Sequence, residues 1–354
     1  MDSSAHGGPI DAELHTAGLR IDDVLDVSVN VNPYGPCPSV VRAIAEAPLH
    51  RYPDPTAAAT RRALAAHLGE PEARVILGNG AVDLLWLVAR AWLRPGDLAM
   101  SIEPTFSEMQ RAAMQAGARI LEHRTSPRSD FALDIEALDA QLRAARPRLV
   151  YVCSPSNPVG IFTPFAPLEE LAERHPDTLF VCDVSFLSLS THHDTPHRSP
   201  RIAWVCSLTK DYALPGLRIG YATAPEPLVA RMEAERPPWS MGAPAQAAIV
   251  AAFEPDARRF LDESRARLLA DRVELEARLH HLDLRTHRSD TVYVLVDLGG
   301  RCLARDLRRA LLERHAILVR DATSFGLPGH VRLAARPSPD TERLISALRQ
   351  ELRP

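Results

Sequence analysis

Short, unbroken apolar runs alternate along the first two thirds of the chain with stretches of helical periodicity. The runs fall at residues 74–77, 98–102, 148–153, 178–182 and 202–206, each with β-branched content. Continuous apolarity is what a strand shows when both faces of its sheet are covered. Between the runs, segments such as 106–116 and 168–174 carry apolar residues at helical spacing. Residues 81–93 are the most apolar stretch, but Asp83 and Arg90 interrupt it and it is too short to span a bilayer, so it reads as a core helix. Strands alternating with helices predict βαβ units and an α/β domain built on a mainly parallel sheet covered by helices.

Beyond about residue 235 the pattern changes. Residues 245–282 are rich in Ala, Arg and Leu and predict one or two long helices. A strand at 291–298, a helix at 303–314, strands at 317–320 and 330–334 and a closing helix at 340–352 follow. Such a block suits a smaller α+β domain. A chain of 354 residues exceeds one ordinary core. The expected organisation is an N-terminal arm (1–30), a large domain (31–235) and a small C-terminal domain (236–354). No internal repeat or low-complexity segment interrupts it.

Composition narrows the function classes. Hydrophobic residues make up 46% and charged residues 24%, as in ordinary soluble domains. The net charge of -4, with both signs mixed along the chain, argues against a nucleic-acid or anionic-membrane surface. Residues 1–10 contain no apolar run or cleavage-site pattern, so no signal peptide and a cytoplasmic location are expected. The five cysteines are scattered, and Cys153, Cys182 and Cys206 end apolar runs, which fits reduced core thiols. His192, His193, Asp194 and His197 sit in a Pro- and Ser-containing loop, where a solvated loop is expected rather than a metal site.

The most informative segment is Ser207-Leu-Thr-Lys210-Asp-Tyr-Ala-Leu-Pro-Gly216-Leu-Arg218-Ile-Gly220. A lysine that forms an imine must be partly desolvated so that its neutral amine is available. Here Lys210 follows a strand end between apolar and glycine-rich flanks. Arg218, beyond a glycine turn, suits bidentate pairing with a phosphate. At Gly78-Asn79-Gly80-Ala81 a strand runs into a helix, whose free N–H groups suit an anion. The third glycine of a dinucleotide fingerprint is missing there, which disfavours a nicotinamide site. Asp183 ends an apolar strand, and a buried carboxylate needs a partner.

These residues resemble class I/II aminotransferases, the fold-type I group of enzymes dependent on pyridoxal 5'-phosphate. The resemblance runs over nearly the whole chain. It implies that Lys210 is the catalytic lysine that carries the cofactor. It implies that Ser207, Thr209, Arg218 and the turn at Gly80, Ala81 and Val82 hold the cofactor phosphate. Phe106, in Pro104-Thr105-Phe106, would stack on the pyridine ring, where many relatives carry Tyr. Asn157, in Asn157-Pro158-Val-Gly160, would donate to the phenolic oxygen, and Asp183 would pair with the ring nitrogen. Phe186 stands in Asp183-Val-Ser-Phe186, where transaminases often carry a tyrosine whose phenol reaches the same oxygen. Tyr52, in Arg51-Tyr52-Pro53-Asp54, would reach the phosphate of a neighbouring subunit, which implies a homodimer with shared active sites. Arg320, Arg332 and Asn32 would bind the substrate.

The reaction is less specific. Asn30-Val-Asn32-Pro33-Tyr34-Gly35-Pro36 and Val319-Arg320-Asp321 resemble histidinol-phosphate aminotransferases. His6-Gly7-Gly8, Asp26-Val-Ser-Val-Asn30, Phe186 and Pro238-Trp239-Ser240 resemble L-threonine-O-3-phosphate decarboxylases of cobalamin synthesis. The expectation is transamination of a small phosphorylated amino substrate, with 2-oxoglutarate and glutamate as the second pair. Decarboxylation is the alternative, and a non-catalytic protein of this fold is remote, because Lys210, Asn157, Asp183 and Arg218 are all present.

Overall fold

The computed structural model describes residues 7–196 and 199–352, so His6 and His197 lie outside the described residues. Its main sheet has seven strands in the order Val75–Gly78, Gly220–Thr223, Ile202–Ser207, Leu179–Asp183, Leu149–Cys153, Leu98–Glu103 and Arg119–Arg124. Gly220–Thr223 runs antiparallel to both neighbours, and the other adjacent pairs are parallel. The five strands expected from apolar runs are all present. The edge strand Arg119–Arg124 was not among them, because its side chains are exposed or half-exposed and its sequence is charged. Charge on an edge strand discourages pairing with another chain.

Burial on both faces explains the continuous apolar runs. Along Leu149–Cys153, Val150 and Val152 enter one core cluster, while Leu149, Tyr151 and Cys153 enter the other. This is the period-two alternation of a strand between two helical layers. One layer holds Gly80–Trp92, Glu108–Gln115 and Glu226–Ala234. The other includes Pro38–Ala45, Ala58–Leu68, Ile135–Ala145 and Phe165–Arg174. Helical crossovers return each parallel strand in the same direction, so their C-terminal ends gather along one edge of the sheet. Gly78, Glu103, Cys153, Asp183 and Ser207 end there.

A second, four-stranded antiparallel sheet runs in the order Arg320–Asp321, His330–Ala334, Tyr293–Asp297, Arg285–Thr286. Ala304–His315, Ser338–Glu351 and the later turns of Pro255–His280 pack on it. The division of the chain differs from the expected boundaries at two places. Ala243–Ala252 belongs with the large unit, since Ala245, Ala248, Ile249 and Ala252 share its core. This helix packs against Pro38–Ala45. The N-terminal segment is no free arm: Leu25–Asp26 pairs in parallel with Ile317–Leu318, and Leu25 and Val27 enter the small unit's core. Among the described residues no helix is long and apolar enough to cross a membrane.

Candidate active site

At the C-terminal edge of the main sheet, against the small unit, lies a cavity of about 280 Å³. Lys210 opens into it from the turn after Ile202–Ser207. Lys210 is the only lysine in the chain, whose other basic side chains, histidine apart, are all arginine. Its Nζ lies 4.9 Å from the centre of the Phe186 ring. Burial lowers the affinity of this amine for a proton below the ordinary lysine value, while Asp183 and Asp211 pull the other way. A partly desolvated amine held toward its neutral form is a nucleophile and a base.

Next to the lysine is a cradle suited to a phosphate. The helix Gly80–Trp92 points its N-terminus at it, and Ala81, Val82, Ser207, Thr209 and Arg218 line it. The Ser207 and Thr209 hydroxyls lie 2.8 Å apart. Gly80 has φ +78°, and a Cβ built there would stand 2.6 Å from Nη2 of Arg218. A Cβ on Gly220 would meet the backbone N of Ala81 at 3.0 Å and the carbonyl oxygen of Cys206 at 2.8 Å. Both glycines thus allow the arginine and the underlying strand to close on the helix end. Arg218 itself takes the left-handed conformation, φ +56°.

Across the cavity floor, Asp183 is buried at its strand end. Its Oδ1 accepts from the Ser185 backbone N–H at 2.9 Å, and its Oδ2 accepts from the Tyr151 hydroxyl at 3.2 Å. Burial pushes the Tyr151 phenol well above its ordinary value, so it remains a donor. Tyr151 was missed in the sequence; the signal was a phenol inside an otherwise apolar strand, which needs a polar partner. Phe106, Asn157 and Phe186 also line the cavity. Phe186 is held edge-on against Tyr293, with ring centroids 5.0 Å apart.

The small unit contributes Arg320 and Arg332. Arg332 donates through Nη1 to Oδ1 of Asn157 and through Nη2 to the carbonyl of Ser28, leaving its buried Nε without a partner. Arg320 donates to Ser324 Oγ at 2.7 Å and lies 4.9 Å from the Phe325 ring centre. Burial lowers both guanidinium groups to about 10. Asn30 also lines the cavity, and neither atom of its buried amide has a partner. Sequence reasoning passed over it in favour of Asn32.

Of the expected residues, Gly80, Asn32 and Tyr52 do not line this cavity, Gly80 standing behind it against Arg218 and Tyr52 having been expected at a neighbouring subunit's site. Asn32 does not line the cavity: its amide donates to the Asp211 carbonyl at 2.9 Å and Ser264 Oγ at 2.7 Å, and its Oδ1 accepts from the Tyr34 N–H at 3.0 Å. Both of its amide hydrogens are engaged away from the cavity, so the structure does not bring Asn32 to the place expected of a substrate contact. Tyr52 is 83% exposed, beside Trp239 at a centroid distance of 5.5 Å, and takes no part in this chain's own cavity. Among the described residues no group of three or more metal-ligating side chains converges. His192 stacks on Phe162 at 4.2 Å, with its Nε2 3.8 Å from Asp290.

A half-buried lysine, an anion cradle, a buried carboxylate and a guanidinium with one unpaired nitrogen around one cavity suit a lysine-linked, phosphate-bearing cofactor. The residues present fit pyridoxal 5'-phosphate: amine for aldehyde, cradle for phosphate, Asp183 for the ring nitrogen. The profile of the aminotransferase class I and II family matches residues 22–349, and the chain belongs to that family. A histidinol-phosphate aminotransferase from Geobacillus sp. (strain WCH70) is 31% identical over 94% of this chain and 91% of its own. The histidinol-phosphate aminotransferase of Sinorhizobium meliloti, solved with pyridoxal-5'-phosphate, superposes with a TM-score of 0.87 at 24% identity, covering 98% of this chain and 94% of the other. L-threonine-O-3-phosphate decarboxylase from Porphyromonas gingivalis gives 0.81 at 25% identity, covering 93% and 99%. The chain is a pyridoxal-phosphate-dependent enzyme of the aminotransferase fold.

Proposed function

We propose that the chain transfers the amino group of a small phosphorylated amine of the histidinol-phosphate type, with 2-oxoglutarate and glutamate as the second pair. The observation that carries this reading is Arg332: a guanidinium buried in the wall of the cavity that Lys210 also lines, with an unpaired Nε. An unpaired buried donor is costly, and an anionic substrate group removes that cost. The curated relatives named for this activity, about 31% identical over nearly the full length, support it.

Bound pyridoxal 5'-phosphate supplies an electron-accepting ring that makes the bonds at a substrate's α-carbon labile. The chain's own residues supply the rest. Ser207, Thr209, Arg218 and the helix end fix the phosphate. Asp183 keeps a proton on the ring nitrogen. Asn157, its carbonyl end taken by Arg332, has its amide nitrogen left for the phenolic oxygen. Lys210 carries the cofactor and moves the proton at the α-carbon. Arg320, Arg332 and Asn30 hold the anionic end of the substrate and so choose which α-carbon bond faces Lys210.

A second reading rests on the same arginines. Guanidinium groups accept a carboxylate as readily as a phosphate. L-Threonine O-3-phosphate, with both groups, could therefore be bound for decarboxylation, in cobalamin synthesis. Phe186, which lacks a phenol, and the resemblance of the segments at Gly7-Gly8 and Asp26–Asn30 to the decarboxylases support that reading. In either case the working unit is a homodimer in the cytoplasm, with Tyr52 reaching the partner's cofactor phosphate.

The test is a half-reaction. Histidinol phosphate is added to the loaded enzyme without a keto acid. Transamination converts the visible band stoichiometrically to the amine form of the cofactor. A persistent band, with repeated carbon dioxide release from L-threonine O-3-phosphate, would replace this reading by the decarboxylase.

A further inference from the structure

The turn that carries Lys210 has little regular structure of its own. Between the strands Ile202–Ser207 and Gly220–Thr223 it is closed by Leu214 N–H to the Thr209 carbonyl at 3.0 Å and a long contact from Ala213 N to the Lys210 carbonyl at 3.4 Å. A lysine stem has four flexible carbons, so its amine is only as well placed as the backbone beneath it. That backbone is gripped from outside. The Lys210 carbonyl accepts from the Asn32 N–H at 3.0 Å, and the Asp211 carbonyl from Asn32 Nδ2 at 2.9 Å. The Tyr212 carbonyl accepts from the Cys37 N–H at 3.2 Å. Three successive carbonyls of the lysine turn thus rest on one short segment, and Asn32 supplies two of the three donors.

Asn32 is in turn fixed from two sides. Its remaining amide hydrogen goes to Ser264 Oγ, 2.7 Å away on the helix Pro255–His280, and Oδ1 takes the Tyr34 N–H at 3.0 Å. It is 2% exposed and lies outside the cavity lining, whereas Asn30, two residues earlier, lines the cavity with its amide unpaired. The two asparagines have therefore divided the work.

We propose that Asn32 is a positioning residue for Lys210: its backbone N–H and side-chain amide together fix the lysine turn, so that the amine meets the cofactor and the substrate's α-carbon in one geometry. This rests on Lys210 being the cofactor lysine. Loss of the amide frees the Asp211 carbonyl and lets the turn sample other arrangements. The chemical step then slows while substrate binding at Arg320 and Arg332 is kept. A reacting group displaced by a fraction of an ångström costs rate rather than affinity.

The sole lysine makes the experiment direct. Protein grown on side-chain-labelled lysine gives one NMR signal, and in wild type that signal is single, narrow and moved by pyridoxal 5'-phosphate. If the cofactor left it unmoved, Lys210 would not be the cofactor lysine and the proposal would fall with that reading. In Asn32→Ala the signal is expected to broaden or split with and without cofactor, kcat to fall about tenfold, and KM to stay within about twofold. Asn32→Ser, whose hydroxyl is too short to bridge to Asp211, carries the same expectation should the alanine variant fold poorly. A raised KM with unchanged kcat would make Asn32 a substrate contact. An unchanged lysine signal, or failure of both variants to fold, would make it a structural staple. Each of these results overturns the proposal.

Discussion

Asp183 sits where the site's electrostatics are concentrated. It is buried, it accepts from Ser185 N–H and Tyr151 hydroxyl, and it raises the proton affinity of Lys210. Asp183→Asn keeps the shape and removes the charge. The folded, loaded enzyme is expected to perform α-carbon chemistry slower by roughly 10²-fold or more, read in a single-turnover assay; a wild-type rate would refute the ring-nitrogen role. Asp211, buried behind Lys210, gives a pH signature. Burial raises its carboxyl from 3.8 to about 7, against the pull of Ser188, Lys210 and Arg265. Because the folded value is raised, this group's contribution to stability is present below the unfolded value and is lost as pH climbs toward 7. In the cofactor-free protein Asp211→Asn should therefore flatten the fall in Tm across that window, and an unaltered slope would contradict the assignment. That Lys210, Asp183, Asn157 and Arg218 would come together was legible because each stands at a strand end or beside a turn, and all four line one cavity. The swap between Asn30 and Asn32 was not legible, since only the fold shows which amide has its partners.

Strands buried on both faces announce themselves as apolar runs, and those at 75–78, 98–103, 149–153, 179–183 and 202–207 were read within a residue or two. The edge strand Arg119–Arg124 escaped because its pattern is that of a solvated surface. Gly220–Thr223 begins at the last residue of the lysine segment and, at four residues, is too short to show a pattern of its own. The junction at Gly80 tests how elements make the phosphate cradle. Alanine there must adopt φ +78° and bring Cβ to 2.6 Å from Arg218 Nη2. The left-handed conformation alone costs about 1–2 kcal/mol. Gly80→Ala should hold pyridoxal 5'-phosphate about tenfold more weakly with the fold intact, measured by cofactor release on dialysis. Undiminished retention would show that Arg218 and the helix end are not pressed together on the phosphate.

Two layers of helices around a mostly parallel sheet and a smaller second unit were visible in the order of elements alone. The exact division was not: an alanine-rich helix does not say which core it joins, and Leu25 and Val27 find theirs nearly three hundred residues downstream. Leu49, Tyr52 and Trp239 are large side chains left exposed on the single chain, Tyr52 and Trp239 side by side, and the homodimer proposed above would cover Tyr52. Tyr52→Phe should leave dimerisation unchanged and speed cofactor loss, followed by sedimentation and by the decay of the visible band; unaltered retention would leave Tyr52 a turn residue. The proposed chemistry stands on Lys210, and the sequence permits a direct check, because no other lysine competes. Borohydride reduction of the loaded enzyme, followed by digestion and mass spectrometry, should find the cofactor fixed to the peptide containing Lys210 and released from Lys210→Ala. Cofactor fixed to the N-terminal amine alone, or to no peptide, would contradict it.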